Sequence, residues 1–282
     1  MLEPLESILP QVASLARDAS EVLVKYCRAT AGELGVEWKG LNDPVTEADK
    51  GVHELCAARL PRILPDVPLM GEEGGARDGA GEFWSLDPLD GTSEFVEHLG
   101  EWAFQLALVR DGKPVLAAVT LPAVDRFYLA LAGKGCTSGR LSDWKASPFA
   151  SFAPLRKERL VLTRSLPRRP SLKRLVELHP ATESILLGGV GFKVHAVLAG
   201  EGDTYFAVPG TLHPWDLAAP LLIAQESGLS CRTLTGGAPV VPSDRESIPE
   251  GLLVTRPQWL ERNLAFFAHP EIAELVVKKD PR

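Results

Sequence analysis

Two aspartates three residues apart, Asp87 and Asp90, follow the apolar run Phe83-Trp84-Ser85-Leu86 and lead directly into Gly91 and Thr92. The run reads as a strand that delivers two carboxylates to its end. Charges held that close raise each other's pKa unless a cation sits between them, and a hard divalent ion such as Mg²⁺ accepts this kind of oxygen ligation. Gly91 permits a tight turn, and a helix opening at Thr92 and continuing through Ser93, Glu94, Phe95 and Val96 would aim free N–H groups at an anion. An Asp-rich turn with a side-chain cap has the same local composition, so the segment needs company before it carries chemistry.

The company is acidic and lies at element ends. Glu72 and Glu73 follow Gly71, Asp49 stands at the start of a helix, and Asp216 closes Leu212-His213-Pro214-Trp215 at a later helix start. Singly, each has a plainer reading: Asp216 is an acid favoured by the helix dipole, and Glu72-Glu73 is a solvated charge pair.

These acids must be positioned by regular elements. Apolar residues at helical spacing (Leu5, Ile8, Val12, Leu15, Ala16, Val22, Leu23, Tyr26) predict an opening amphipathic helix to about residue 30, closed by Gly32 and Gly35. A short strand over 36–39, a turn at Asn42-Asp43-Pro44 and a helix capped by Thr46 come next. Strands over 67–70 and 83–87 precede an antiparallel meander over 103–109, 115–121 and 126–132. The Gly-, Ser- and Pro-rich stretch 134–157 reads as a linker or an irregular excursion at the boundary between a lobe of residues 1–140, holding most metal ligands, and a lobe of residues 141–282, holding Asp216 and substrate-binding residues. Beyond it, strands at 159–163, 184–187, 203–208, 229–232 and 252–255 alternate with helices at 171–178, 190–199 and 213–227, and one or two helices close the chain.

Composition narrows the partners. With 45% hydrophobic residues and a net charge of −7, the chain has material for a full core and no broad basic surface for a nucleic-acid polymer. The four cysteines (Cys27, Cys56, Cys136, Cys231) show neither zinc-site nor disulfide spacing and read as reduced thiols. No run of about 20 apolar residues occurs, and the start is acidic where a signal peptide is basic, which predicts a cytoplasmic protein without a membrane partner.

Taken in order, Asp43-Pro44-Val45-Thr46-Glu47-Ala48-Asp49, Gly71-Glu72-Glu73, Trp84-Ser85-Leu86-Asp87-Pro88-Leu89-Asp90-Gly91-Thr92 and Trp215-Asp216 resemble the motif series of the inositol monophosphatase superfamily, from about Lys39 to Gly228. The resemblance implies a mixed α/β fold, a layered αβαβα sandwich of the inositol monophosphatase and fructose-1,6-bisphosphatase type. It also implies two or three Mg²⁺ ions on Glu72, Asp87, the Leu89 carbonyl, Asp90 and Asp216. By the same likeness Asp49 and Thr92, with Glu72, are the catalytic residues that orient and deprotonate water; Gly91, Thr92, Ser93, Lys193 and Asp216 bind substrate. Lithium sensitivity and a homodimer are further expectations of the family.

A haloacid-dehalogenase-type phosphatase is the nearest chemical rival, but its Asp-Leu-Asp-Gly-Thr loop is one residue shorter than the segment from Asp87 to Thr92. A silent phospholigand-binding scaffold is the alternative from another class, and no expected acid is missing to favour it.

For the substrate, a small phosphate ester, the signals divide. Gly91-Thr92-Ser93-Glu94-Phe95 resembles the form found in CysQ-type 3′(2′),5′-bisphosphate nucleotidases, and Lys193 matches the lysine those enzymes set on the second phosphate. Leu166 stands where that group usually has a His, Val190-Gly191 replaces a Ser pair, and Ala207 falls where some relatives use an Arg. His213-Pro214-Trp215-Asp216 reads instead like the inositol monophosphatase form. The expectation is hydrolysis of 3′-phosphoadenosine 5′-phosphate to AMP, with an inositol or related sugar monophosphate as the alternative.

Overall fold

The structure, a computed structural model, describes residues 5–29, 34–40, 43–75, 81–150, 157–244 and 246–277. Its elements run α1 (Leu5–Tyr26), β1 (Glu37–Gly40), β2 (Asp43–Val45), α2 (Glu47–Ile63), β3 (Leu69–Gly71), β4 (Gly74–Gly75), β5 (Glu82–Asp90) and α3 (Thr92–Val96). Then come β6 (Ala103–Arg110), β7 (Lys113–Leu121), β8 (Arg126–Leu131), β9 (Gly135–Gly139), β10 (Ser147–Pro148), β11 (Arg159–Thr163), α4 (Pro170–Leu178) and β12 (Glu183–Leu187). The chain closes with α5 (Val190–Leu198), β13 (Thr204–Ala207), α6 (Pro214–Glu226), β14 (Ser230–Arg232), β15 (Leu252–Thr255), α7 (Leu260–Phe267) and α8 (Pro270–Val277).

Strict alternation of side chains builds the layers. In β6, Phe104, Leu106 and Leu108 join α1 and α2 in one core, while Ala103, Ala107 and Val109 turn to the opposite face and meet α5 and α6. Successive residues of a strand point to opposite faces, so a strand apolar at every position must be covered twice. The second sheet repeats the arrangement: Val161, Tyr205 and Val254 face α5 and α6, whereas Leu160, Leu162, Phe206 and Leu253 face α4, α7 and α8. Three cores, the middle one wrapping both faces of the α5 and α6 layer, bind five layers into the αβαβα sandwich.

The first sheet has the order β10-β9-β8-β7-β6-β5-β3-β4, antiparallel except where β3 runs parallel to β5. The second has the order β12-β11-β13-β15-β14, parallel across its first three strands and antiparallel across the last two pairs. The expected meander is present as β6, β7 and β8. The expected linker is not structureless: β9 pairs with β8 and β10 with β9, carrying the first sheet to Pro148. Its Gly and Ser residues hide the pairing, because period-2 apolar patterning is weak at a sheet edge. The opening helix ends at Tyr26, short of residue 30. Gly32 and Asn42, assigned above to a helix end and a turn, lie outside the described residues.

Candidate active site

Three element ends converge on one acidic cluster. The pairing of β5 with β6 runs from Glu82↔Arg110 to Asp87↔Gln105 and then slips before resuming at Asp90↔Ala103. The irregularity contains Pro88, which has no N–H to give a ladder, and it brings Asp87 and Asp90 together with Asp216 from the first turn of α6. One carboxylate oxygen from each of these three residues lies within 4.8 Å of the others.

Asp87 and Asp90 are 2% and 5% exposed. Burial pushes the pKa of Asp87, Asp90 and Asp216 above the ordinary carboxylate value; repulsion by Glu72 and Asp90 adds to it at Asp87 and Asp216, whereas at Asp90 the Lys193 charge and the Val190 and Gly191 amides oppose it. Glu72 sits one residue beyond β3, with its N–H donating to the Leu86 carbonyl at 3.4 Å. Its charge acts on both Asp87 and Asp216. The donor set is all oxygen, buried and mutually repelling, which suits a hard divalent cation and offers nothing to a soft one.

Two of the acids are fixed by local helix chemistry. Asp49 is the third residue of α2, and its Oδ2 accepts from the Thr46 N–H at 2.8 Å and the Thr46 hydroxyl at 2.6 Å, while the Ala48 N–H donates to Thr46 Oγ1. This reciprocal cap satisfies backbone donors that a helix start leaves open. Asp216 occupies the same position in α6 and accepts from the His213 N–H at 2.6 Å. Each cap occupies Oδ2 and leaves the other oxygen available for further work.

That oxygen of Asp49 meets Thr92. Thr92 Oγ1 lies 3.3 Å from Asp49 Oδ1 and 2.9 Å from the Leu89 carbonyl oxygen, so its single proton is shared between two acceptors and leans to the carbonyl. Burial holds the Asp49 pKa up to about 6 against the Thr46 hydrogen bonds that lower it. Gly91, at φ 86°, turns β5 into α3; a Cβ there would come within 2.7 Å of the Glu101 carbonyl oxygen, so the turn requires glycine. Ser93 falls in the first turn of α3.

Contacts invisible to the motif reading hold Asp90. The Val190 and Gly191 N–H groups at the start of α5 donate to its Oδ1 and Oδ2 at 2.8 and 2.7 Å. A Cβ on Gly189 would stand 2.3 Å from Asp90 Oδ2, which explains why the chain passes Asp90 on a glycine. The one available signal was the run Gly188-Gly189-Val190-Gly191 before a helix.

Lys193 is buried one turn into α5. Burial lowers its pKa, and the negative charges of Asp90, Glu94 and Asp216 oppose that shift. Its Nζ lies 5.6 Å from the centre of the Tyr205 ring. A cavity of about 120 Å³ opens beside Asp216, with Lys193, Arg169, Thr163, Tyr205, Ala207 and Leu212 among its walls. Arg169 was not singled out by the sequence. It is half-buried, and its charge disfavours the charged form of Lys193, so the two cations are neighbours.

A profile described as the inositol monophosphatase family matches residues 4–272. The chain belongs to this family. It is 30% identical over 249 residues, 85% of this chain and 96% of the relative, to the 3′(2′),5′-bisphosphate nucleotidase CysQ of Shigella flexneri, and to the same extent to CysQ of Escherichia coli strain K12. Among solved structures, inositol monophosphatase II of Staphylococcus aureus MSSA476 superposes with a TM-score of 0.77 at 22% identity, covering 96% of each chain. This inositol monophosphatase family member is a phosphoric monoester hydrolase with that family's fold. Among the described residues, no helix is long and apolar enough to cross a membrane.

Proposed function

We propose that the enzyme is a Mg²⁺-dependent 3′(2′),5′-bisphosphate nucleotidase that hydrolyses 3′-phosphoadenosine 5′-phosphate to AMP and phosphate. The observation that carries the reading is the juxtaposition of two unlike charge groups: a cluster of acids with Asp87 and Asp90 buried and Asp216 half-buried, and a pocket beside it with two cations, Lys193 and Arg169. An ester with one anionic group needs only the first; a bisphosphate uses both. The likeness to the CysQ enzymes supports the same choice.

Glu72, Asp87, the Leu89 carbonyl, Asp90 and Asp216 are the groups that would hold Mg²⁺. When bound, Mg²⁺ supplies the positive charge that neutralises the phosphate and makes water acidic enough to attack it. The remaining steps belong to the chain. The Gly91 and Thr92 amides, at the turn into α3, are the donors for phosphate oxygens. Thr92 and Asp49 form the proton path: the hydroxyl takes a proton from the attacking water as it passes its own to Asp49 Oδ1, 3.3 Å away. With its pKa raised to about 6, Asp49 is mostly ionised at neutral pH and a better base than an exposed aspartate. The Thr46 hydrogen bonds fix its rotamer, so the proton acceptor keeps its orientation. No covalent phosphoenzyme enters this scheme.

The test is phosphate release in Mg²⁺ from 3′-phosphoadenosine 5′-phosphate, inositol 1-phosphate and fructose 1,6-bisphosphate, compared by kcat/KM. Preference for the nucleotide is the expected result. Preference for inositol 1-phosphate would overturn it and favour the second reading, which rests on the His213-Pro214-Trp215-Asp216 segment; there the His213 ring stacks on Trp215 at 4.8 Å.

A further inference from the structure

The amides that hold Asp90 need a support of their own, because α5 belongs to the second lobe and Asp90 to the first. Glu101 supplies it. It stands two residues before β6, on the strand pair that carries Asp90, since Asp90 faces Ala103 across that ladder. Its carboxylate is buried and accepts from the Gly188 N–H at 2.8 Å through Oε2. Arg164, one residue past β11, donates to the same carboxylate through Nε at 2.6 Å and through Nη2. The Glu101 carbonyl also accepts from the Gly189 N–H at 3.3 Å. Four hydrogen bonds from two second-lobe loops thus end on one first-lobe residue.

The chain between these anchors is short. Gly188 and Gly189 are gripped by Glu101, and Val190 and Gly191, the next two residues, grip Asp90. Neither glycine has room for a side chain: a Cβ on Gly188 would stand 2.4 Å from Glu94 Cγ and 2.9 Å from the Glu101 carbonyl oxygen. Glu101 and Asp90 act as two jaws closed on the N-terminus of α5. An exposed ion pair contributes little, but Arg164 here meets an acid that is 11% exposed at its side chain and already bound to a backbone amide.

We propose that Glu101, held by Arg164, is a positioning residue for the metal site: it docks α5 so that the Val190 and Gly191 amides orient the Asp90 carboxylate. The inference rests on the reading of Asp90 as a metal ligand. Outer partners of this kind fix the rotamer and charge of a ligand, and losing one typically weakens metal affinity about 10–100-fold.

The experiment is calorimetric titration of the metal-stripped full chain with Mn²⁺, for the wild type, Glu101→Ala, Glu101→Gln and Asp90→Asn, with thermal unfolding recorded for each. Glu101→Ala is expected to weaken Mn²⁺ binding about 10–100-fold. Glu101→Gln keeps an oxygen for the Gly188 N–H and is expected to fall between Glu101→Ala and the wild type. In kinetics with Mg²⁺, Glu101→Ala should raise the metal concentration for half-activation, with kcat largely recovered at saturating metal; a general loosening of the fold would not be recovered by metal. A folded Glu101→Ala protein with wild-type Mn²⁺ affinity overturns the proposal. If Glu101→Ala does not fold, Glu101→Gln decides, and wild-type affinity in that variant overturns it equally. Unchanged affinity in Asp90→Asn removes the metal-ligand reading itself, a result distinguishable from failure of the positioning role alone.

Discussion

Two groups of buried acids lie in the same molecule and are treated oppositely. Around the second sheet, Glu158 accepts from the Thr204 hydroxyl, from Asn263 Nδ2 at 2.7 Å and from Arg262, while Asp203 pairs with Arg256 at 3.0 Å and accepts from the Arg159 N–H at 3.1 Å. Where the end of β5 meets the start of α6, Asp87, Asp90 and Asp216 face one another; burial raises their pKa values, and repulsion adds to it at Asp87 and Asp216. The first arrangement matches each negative charge with fixed donors and serves stability. The second leaves carboxylates facing one another, the arrangement that a bound cation would relieve and on which the proposed metal site rests.

The comparison breaks most visibly at Asp90. Asp90→Asn should lower turnover roughly a thousandfold, the order expected for losing several kcal/mol of transition-state charge stabilisation. The metal-free variant should stay folded, because the repulsion on Asp87 and Asp216 that is relieved offsets the one amide hydrogen bond that the Asn side chain cannot accept. Near-normal kcat would sink the assignment. Glu158→Ala should do the reverse: a loss of about 3–5 kcal/mol in urea unfolding, as for other buried ionic networks stripped of one partner, with kcat/KM per folded molecule little changed. A variant as stable as the wild type would contradict the contrast.

Titration sharpens it. The Asp49 carboxyl is raised from 3.8 to about 6, and the cluster acids are raised too. A group with a raised folded pKa binds more protons when folded, so stability is lost as pH rises from the unfolded value through the folded one. Metal-free protein should therefore melt progressively lower from pH 4 to above 6, and Mg²⁺ should restore more melting temperature at pH 8 than at pH 5. Equal Mg²⁺ shifts at both values would count against a metal on these acids. The smallest effect belongs to Thr46→Ala, which removes a helix cap and should cost about 1 kcal/mol. It should also lower kcat through the freed Asp49 while leaving Mg²⁺ activation nearly unchanged.

How much of the site could be read beforehand follows from the range of each interaction. Asp49 and Asp216 are placed by caps three residues long, and Thr92 is placed by a turn that only Gly91 allows. Such positions are written in adjacent residues, as are the alternations that make β5, β6 and β7 strands. The pairing of β9 and β10 is not legible in the sequence because edge strands rich in Gly and Ser carry no apolar alternation. Arg169 is not legible in the sequence because no motif surrounds it; only the fold sets it in the wall of the cavity beside Asp216.

By itself, then, the sequence determined which acids exist and which element ends carry them, since strand alternation, helix capping and glycine turns act over a few residues. Only the tertiary structure decided that the amides of Val190 and Gly191 would close on Asp90, 100 and 101 residues earlier, and that Glu101 and Arg164 would hold them there. Those contacts join separate layers, and no local pattern encodes the packing of one layer on another.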